Sequence, residues 1–189
     1  MTSGAAMSST GRFICLAGLS GAGKDTAGGL LIEHHGFERV AIADPLKTVM
    51  MTLFELTPEQ LWGGLRNVPD ARLGRAPREL YQRFGQVCAE IDPAVWLRPF
   101  RARVTELMRA GRQVVCTDLR TSAEWQAARE LGARIWLVSR PGAGAPGALA
   151  QDRTERDVAG FEHARFDAVI QNDGTLAALH ARLRAALAC

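Results

Sequence analysis

The chain has 189 residues, 47% of them apolar and 23% charged, with a formal charge of +3. That is the make-up of one globular domain with a sizeable core. The charge is too small to argue by itself for a nucleic-acid or membrane-surface partner, and no run reaches the roughly 18–20 apolar residues of a membrane span.

In chain order, Met1–Gly11 is small and polar, lacks a signal-peptide apolar core, and reads as a disordered leader. Arg12–Ala17 (RFICLA) predicts a buried strand, and a glycine cluster leads from it into a helix over Lys24–His35. Arg39–Ala43 (RVAIA) predicts a second strand. Asp44 is placed to cap the helix that follows, with Pro45 at its first position. Thr57-Pro58-Glu59-Gln60 opens another helix by the same logic, and Gly63–Ala76 reads as an exposed loop. Helical spacing continues over Pro77–Glu90 and Ala94–Ala110. Strands are expected at Gln113–Thr117, Arg134–Ser139 and Phe166–Gln171, and helices at Ser122–Leu131 and Leu176–Ala188. Gly142–Ala150 (GAGAPGALA) has the composition of a hinge. Apolar strands alternating with helices predict an α/β fold, a parallel sheet covered on both faces. The helical stretch Pro45–Ala110 is an insertion beside it.

Cys15, Cys88, Cys116 and Cys189 never fall at C-x-x-C spacing. A zinc site is therefore not expected, and Cys15 and Cys116, inside apolar strand-like runs, read as buried, reduced small hydrophobes, which fits a cytoplasmic setting. The tryptophans Trp62, Trp96, Trp125 and Trp136 are expected mainly in cores, and the four histidines at surfaces or helix caps.

The chemistry concentrates in Gly18-Leu-Ser20-Gly21-Ala22-Gly23-Lys24-Asp25-Thr26, between a strand and a helix. Glycines let successive N–H groups curl around an anion, the helix start adds partial positive charge, and Lys24 reaches the β- and γ-phosphates. The spacing is that of a phosphate loop for ATP. Asp25, not Ser or Thr, follows the lysine. Asp25 either orients magnesium waters or only favours the helix start through its charge. Asp25 and Thr26 are thus the candidate Mg²⁺ groups, directly or through water.

Four further clusters fall at strand ends or loops, where open α/β sheets place ligands. They are Ala43-Asp44-Pro45-Leu46-Lys47; Arg78 to Gly85 with Gln82 and later Trp96; Thr117-Asp118-Leu119-Arg120; and Asn172-Asp173-Gly174-Thr175. In this order, with Arg140-Pro141-Gly142 between the last two, the set resembles the phage and bacterial deoxynucleoside monophosphate kinases, from about Phe13 to Leu187. Animal-type phosphomevalonate kinases share the loop, the strand end and the closing region.

The resemblance implies a three-layer P-loop NTPase fold of the adenylate kinase type: a five-stranded parallel core, an acceptor-binding helical region at about 45–110 and a lid at about 140–157. It implies ATP and Mg²⁺ as cofactors and small nucleotides as partners. A homodimer is left open, and no stable nucleic-acid partner is expected. Asp44, Lys47, Arg78, Gln82, Trp96, Asp118 and Arg120 would serve the acceptor. Arg140, Asn172 and Gly174 would sit beside the donor base, and Arg153 and Arg156 would be lid arginines. The sequence departs from the family pattern around Asp152-Arg153-Thr154-Glu155, where family lids carry a histidine. The expected reaction is phosphoryl transfer to a (deoxy)nucleoside monophosphate. The alternatives are a non-nucleotide phosphorylated acceptor, or a nucleotide-binding regulator without turnover.

Overall fold

A computed structural model describes residues 11–144 and 166–189. It falls into two compact units, one made of Met1–Ala41 with Arg101–Cys189 and the other of Ile42–Phe100.

The first unit is built on five strands: β1 (Phe13–Ala17), β2 (Phe37–Arg39), β3 (Gln113–Cys116), β4 (Arg134–Ser139) and β5 (Ala168–Gln171). All pairings are parallel, in the spatial order β2-β3-β1-β4-β5. Every residue of β1 is buried, as a central parallel strand covered on both faces requires. From β1 the chain steps out to the β2 edge, returns through β3 and crosses to β4 and β5. The carboxyl end of β1 therefore lies at a topological switch point, where such sheets open a crevice. Helices α1 (Lys24–His35), α6 (Ser122–Glu130) and α7 (Leu176–Ala188) belong to this unit, as does most of α5 (Leu97–Arg109). Its core gathers Ile14, Leu16, Leu31, Val115, Trp136 and Leu183, all essentially inaccessible to solvent.

The second unit holds α2 (Asp44–Phe54), the short α3 (Pro58–Leu61), a 3₁₀ turn at Gly64–Asn67 and α4 (Pro77–Ile91). Its buried core is four residues, Leu46, Met50, Leu56 and Leu61, ringed by partly buried Phe54, Tyr81, Phe84 and Trp96. Gly85 fits a close approach here, since a Cβ would press on Leu46 Cδ2 at 2.7 Å.

Most elements form where the pattern predicts them, and two differ. The second strand is Phe37–Arg39, not Arg39–Ala43. Val40, Ala41 and Ile42 are buried and Val40 N–H donates to the Val115 carbonyl of β3 at 2.9 Å, but the strand itself ends at Arg39; the apolar run marked burial, which a covered loop shares with a strand. Asp44 is not a cap. Ala43 occupies that position in a helical conformation with no side-chain bond, so the helix starts one residue early. The Asp44 carboxylate instead accepts the indole N–H of Trp62 at 2.9 Å. Among the described residues no helix is long and apolar enough to cross a membrane.

Candidate active site

The phosphate loop joins β1 to α1. Gly18, Gly21 and Gly23 all take positive φ, at 145°, 76° and 98°, a region L side chains rarely enter. Gly23 is doubly required, because a Cβ there would collide with the side-chain amide of Asn172. At Gly21 a Cβ would meet nothing; the crest of the loop faces open space. No side chain caps α1, so its start presents the partial positive charge of the helix dipole to an anion. Lys24 folds back over the loop, its Nζ donating to the Gly18 carbonyl at 2.7 Å and the Leu19 carbonyl at 2.9 Å. A phosphate chain fits this cradle: it would meet N–H groups, a helix start and a positioned ammonium.

Two neighbours brace the loop. Asn172, just after β5, donates from Nδ2 to the Ala22 carbonyl at 2.9 Å. Gly144, past the end of β4, donates its N–H to the Ser20 carbonyl at 2.9 Å. The closing Asn172–Thr175 segment then starts α7, with Thr175 Oγ1 accepting the Ala178 N–H. Gly174 and Arg140 are exposed. Arg153 and Arg156, with much of the 140–157 segment and residues 1–10, lie outside the described residues.

Asp25 and Thr26 are both exposed in the first turn of α1. Thr117, at the end of β3, donates its hydroxyl to Asp25 Oδ1 at 3.2 Å. Thr117 is the one buried polar side chain among the described residues, and its methyl lies where a Cβ on Gly28 would fall. A carboxylate held at one oxygen keeps the other for water or a cation, so the pair fits a magnesium hydration shell. Among the described residues no cluster of three or more His, Cys, Asp or Glu side chains could enclose a metal by itself. A metal here would take its remaining ligands from water and phosphate, as Mg²⁺ does.

Beyond Thr117 the chain runs through half-buried Asp118, buried Leu119 and exposed Arg120. The Cys116 thiol approaches Asp118 Oδ1 at 3.1 Å. Thr121 caps α6 in a reciprocal box with Glu124. Burial pushes the Glu124 carboxyl up to about 7 and the charge of Asp118 adds to this, against the N–H bonds from Thr121 and Arg120. Sequence reading missed Glu124, and it singled out Thr117 without foreseeing its bond to Asp25. The T-x-x-E spacing at Thr121–Glu124 was a visible capping signal, but the Thr117–Asp25 bond spans 92 residues and left no local trace.

In the helical unit, Lys47 Nζ stands 5.4 Å from the Trp62 ring centre and 5.5 Å from that of Tyr81, within cation–π range. Trp62 is thus at the surface, 36% exposed, and not in a core. Arg78 and Gln82 are one turn apart on α4, half-buried and exposed respectively, and share a face. Trp96 is half-buried, its indole N–H donating to the Gly85 carbonyl at 3.0 Å.

Away from the loop, His34, His35 and His180 cluster between α1 and α7, with His35 Nε2 and His180 Nε2 3.1 Å apart. Burial first, then the neighbouring His180, His34 and Arg184, hold the His35 pKa below its usual value. A cavity of about 550 Å³ lined by Arg12, His35, Gln113 and Arg184 lies at the amino end of β1, the far end of the strand from the phosphate loop.

A five-stranded parallel sheet with this loop after its central strand is the fold of P-loop kinases. Solved structures bear this out. Dephospho-CoA kinase from Campylobacter jejuni aligns at a TM-score of 0.54 with 12% identity, over 95% of this chain and 97% of that one. A sugar kinase from Janibacter aligns at 0.53 with 18% identity, over 94% and 95%. The Deoxynucleotide monophosphate kinase family model matches residues 76–183, more than half of the chain, and the chain belongs to that family. A deoxynucleotide monophosphate kinase-type protein of Acanthamoeba polyphaga mimivirus is 29% identical over 185 residues, 90% of this chain and 93% of the viral one. The protein is accordingly a nucleotide kinase, an enzyme of phosphoryl transfer.

Proposed function

We propose that the enzyme transfers the γ-phosphoryl group of ATP to a deoxynucleoside monophosphate, giving the diphosphate. The observation that carries this is the glycine loop at the carboxyl end of β1, with Lys24 turned onto its carbonyls, in a chain of this family. The transition state of phosphoryl transfer is loose and its charge lies on oxygens, so the protein's work is alignment and electrostatic stabilisation. Loop N–H groups from Ser20 to Thr26 hold the donor phosphates, and Lys24 swings from its carbonyl partners to the β- and γ-oxygens. Asp25 and Thr26 would hold Mg²⁺, which supplies charge neutralisation on those oxygens. Arg120 grips the acceptor phosphate with its planar fork, and Asp118 beside it orients the group. An acceptor that is already a phosphate monoester needs no strong base.

Asp44, Lys47, Arg78, Gln82 and Trp96 carry the remaining acceptor roles, Gln82 through paired donor and acceptor groups that read a base edge. Two of them also make bonds within their own unit: the Asp44 carboxylate accepts the Trp62 indole N–H, and the Trp96 indole N–H donates to the Gly85 carbonyl. Arg140, Asn172 and Gly174 flank the donor base, and Arg153 and Arg156 close over the triphosphate. Four free cysteines suit a reducing, cytoplasmic setting.

The test is ADP release over a panel of the four deoxynucleoside monophosphates, their ribose counterparts and phosphomevalonate. Arg120→Lys should weaken every acceptor, because the fork geometry is lost. Gln82→Ala should weaken nucleotides unequally, according to base. Turnover of phosphomevalonate without any nucleotide would replace the acceptor assignment, and ATP binding without turnover of any acceptor would make the chain a regulator.

A further inference from the structure

Among the described residues two helices start with reciprocal capping boxes, and the two boxes differ in what else they hold. At the start of α3, the Thr57 hydroxyl accepts the Gln60 N–H at 3.3 Å, and Gln60 Oε1 accepts the Thr57 N–H at 2.9 Å. The rest of the Gln60 amide turns away to Asp70, at 2.6 Å. At the start of α6, Thr121 Oγ1 accepts the Glu124 N–H at 3.3 Å, and Glu124 Oε2 accepts the Thr121 N–H at 2.9 Å. That completes the box. Yet the same Glu124 oxygen also accepts the N–H of Arg120, at 2.6 Å, the shorter of its two bonds. Helix capping does not call for this second bond, because Arg120 precedes the cap.

Its effect is on the arginine. Arg120 lies in the irregular segment between buried Leu119 and the cap residue, and is exposed. An exposed arginine on an unanchored segment must lose both main-chain and side-chain freedom to hold an anion. Glu124 removes the first part in advance by fixing the peptide from which the side chain departs. Both bonds fall on Oε2 of the carboxyl, so a proton carried on its other oxygen leaves them in place.

We infer that Glu124 is a positioning residue for the acceptor, acting through the main chain of Arg120 and not merely as the cap of α6. This rests on the proposed reading of Arg120 as the acceptor-phosphate grip, and the experiment separates the two. Steady-state KM and kcat are measured with dAMP, dCMP, dGMP and dTMP, and KM for ATP, in Arg120→Ala, Glu124→Ala, Glu124→Gln, Thr121→Ala and the Arg120→Ala/Glu124→Ala double variant. Glu124→Ala should raise acceptor KM by about tenfold, the scale of a misplaced contact, with KM for ATP within about twofold of wild type. Glu124→Gln keeps an accepting oxygen and should restore acceptor KM to within about threefold of wild type. Thr121→Ala breaks the other half of the box, so it should lower the melting temperature while leaving acceptor KM near wild type. In the double variant, loss of Glu124 should add nothing to the loss of Arg120.

If Thr121→Ala raises acceptor KM as much as Glu124→Ala does, Glu124 is only a cap. Effects that multiply in the double variant overturn the inference as well. Should Glu124→Ala not fold, Glu124→Asp, one methylene shorter, reads the same quantity, and unchanged acceptor KM in that variant counts against the inference. If Arg120→Ala leaves acceptor KM unchanged, the reading of Arg120 is itself wrong and the inference falls with it. If Arg120→Ala raises acceptor KM and Glu124→Ala does not, only the inference falls.

Discussion

The two units differ in how the groups proposed for the site are held. In the sheet unit several are fastened to main chain, Lys24 to the Gly18 and Leu19 carbonyls, Asn172 to the Ala22 carbonyl and Glu124 to two N–H groups, with the Thr117–Asp25 pair joined through side chains. In Ile42–Phe100 Asp44 meets the Trp62 indole and Lys47 stands against two rings, while Trp96 holds to the Gly85 carbonyl. The cores differ in parallel. The sheet unit packs buried residues from β1, β3, β4, α1 and α7 into one cluster. The helical unit rests on four and leaves Leu53 58% and Ile91 83% exposed. A deep core sets main-chain positions firmly, so groups bonded to that main chain are placed in advance. A shallow core with side-chain fastenings can re-pack at lower cost, which suits a region whose proposed task is to accommodate an acceptor.

The largest effect expected is at Lys24. Lys24→Ala should cut phosphoryl transfer by roughly a thousandfold or more, since it removes a charge aimed at the reacting oxygens. The melting temperature should stay near wild type, because Lys24 lies outside the core. ADP release and a thermal melt on the same sample check this, and wild-type turnover in the folded variant would remove the sheet unit from the chemistry.

Next comes Leu61→Ala, which empties one of the four positions of the helical unit's buried cluster and should cost about 2–5 kcal/mol. Hydrogen exchange should show amides of α2, α3 and α4 losing protection while β1 and β3 keep theirs. Equal loss in both units would erase the contrast between them.

A smaller effect concerns pH. The Glu124 carboxyl titrates near 7 in the folded protein against 4.5 as its ordinary value, so the folded state holds the proton more tightly. The stability tied to that proton is complete below pH 4.5 and is lost as pH rises from 4.5 to about 7, on the order of 1–3 kcal/mol. His35 acts oppositely: its pKa is lowered from 6.5, so its share is complete above 6.5 and is lost as pH falls below that value. Denaturant melts from pH 4.5 to 8 should therefore show Glu124→Gln gaining on wild type as pH rises. A constant difference across the range would mean the carboxyl is not perturbed.

The smallest expected effect is at Thr117. Thr117→Val removes the hydroxyl that holds Asp25 and should cost about 0.5–1.5 kcal/mol. If Asp25 orients magnesium waters, the Mg²⁺ concentration for half-maximal rate rises, by up to about tenfold, and Mn²⁺ binding to the ATP complex weakens in parallel. Unchanged metal dependence would leave Asp25 with only its effect on the helix start.

Residue patterns made the sheet legible because its signals are local. The buried runs at β1, β3 and β4 and the helices α1 and α7 emerge within a residue of where periodicity and glycine place them. The phosphate loop was readable for the same reason: strand, glycines, lysine and helix are contiguous. Burial without pairing was less legible. Val40–Ile42 has the composition of a strand and runs on past the ladder that β2 makes with β3.

What depended on the fold is everything that joins distant segments. The order of the strands brings Asn172 onto Ala22 and Thr117 onto Asp25, and the packing of α1 against α7 brings the distant His180 onto the adjacent pair His34 and His35. The sequence by itself determined which segment can cradle phosphate, because that property lies in the φ freedom of glycines and the charge of one helix start. Only the tertiary structure decided which side chains hold that segment in shape, because a hydrogen bond between strands far apart in sequence depends on their adjacency in the sheet and has no counterpart in local composition.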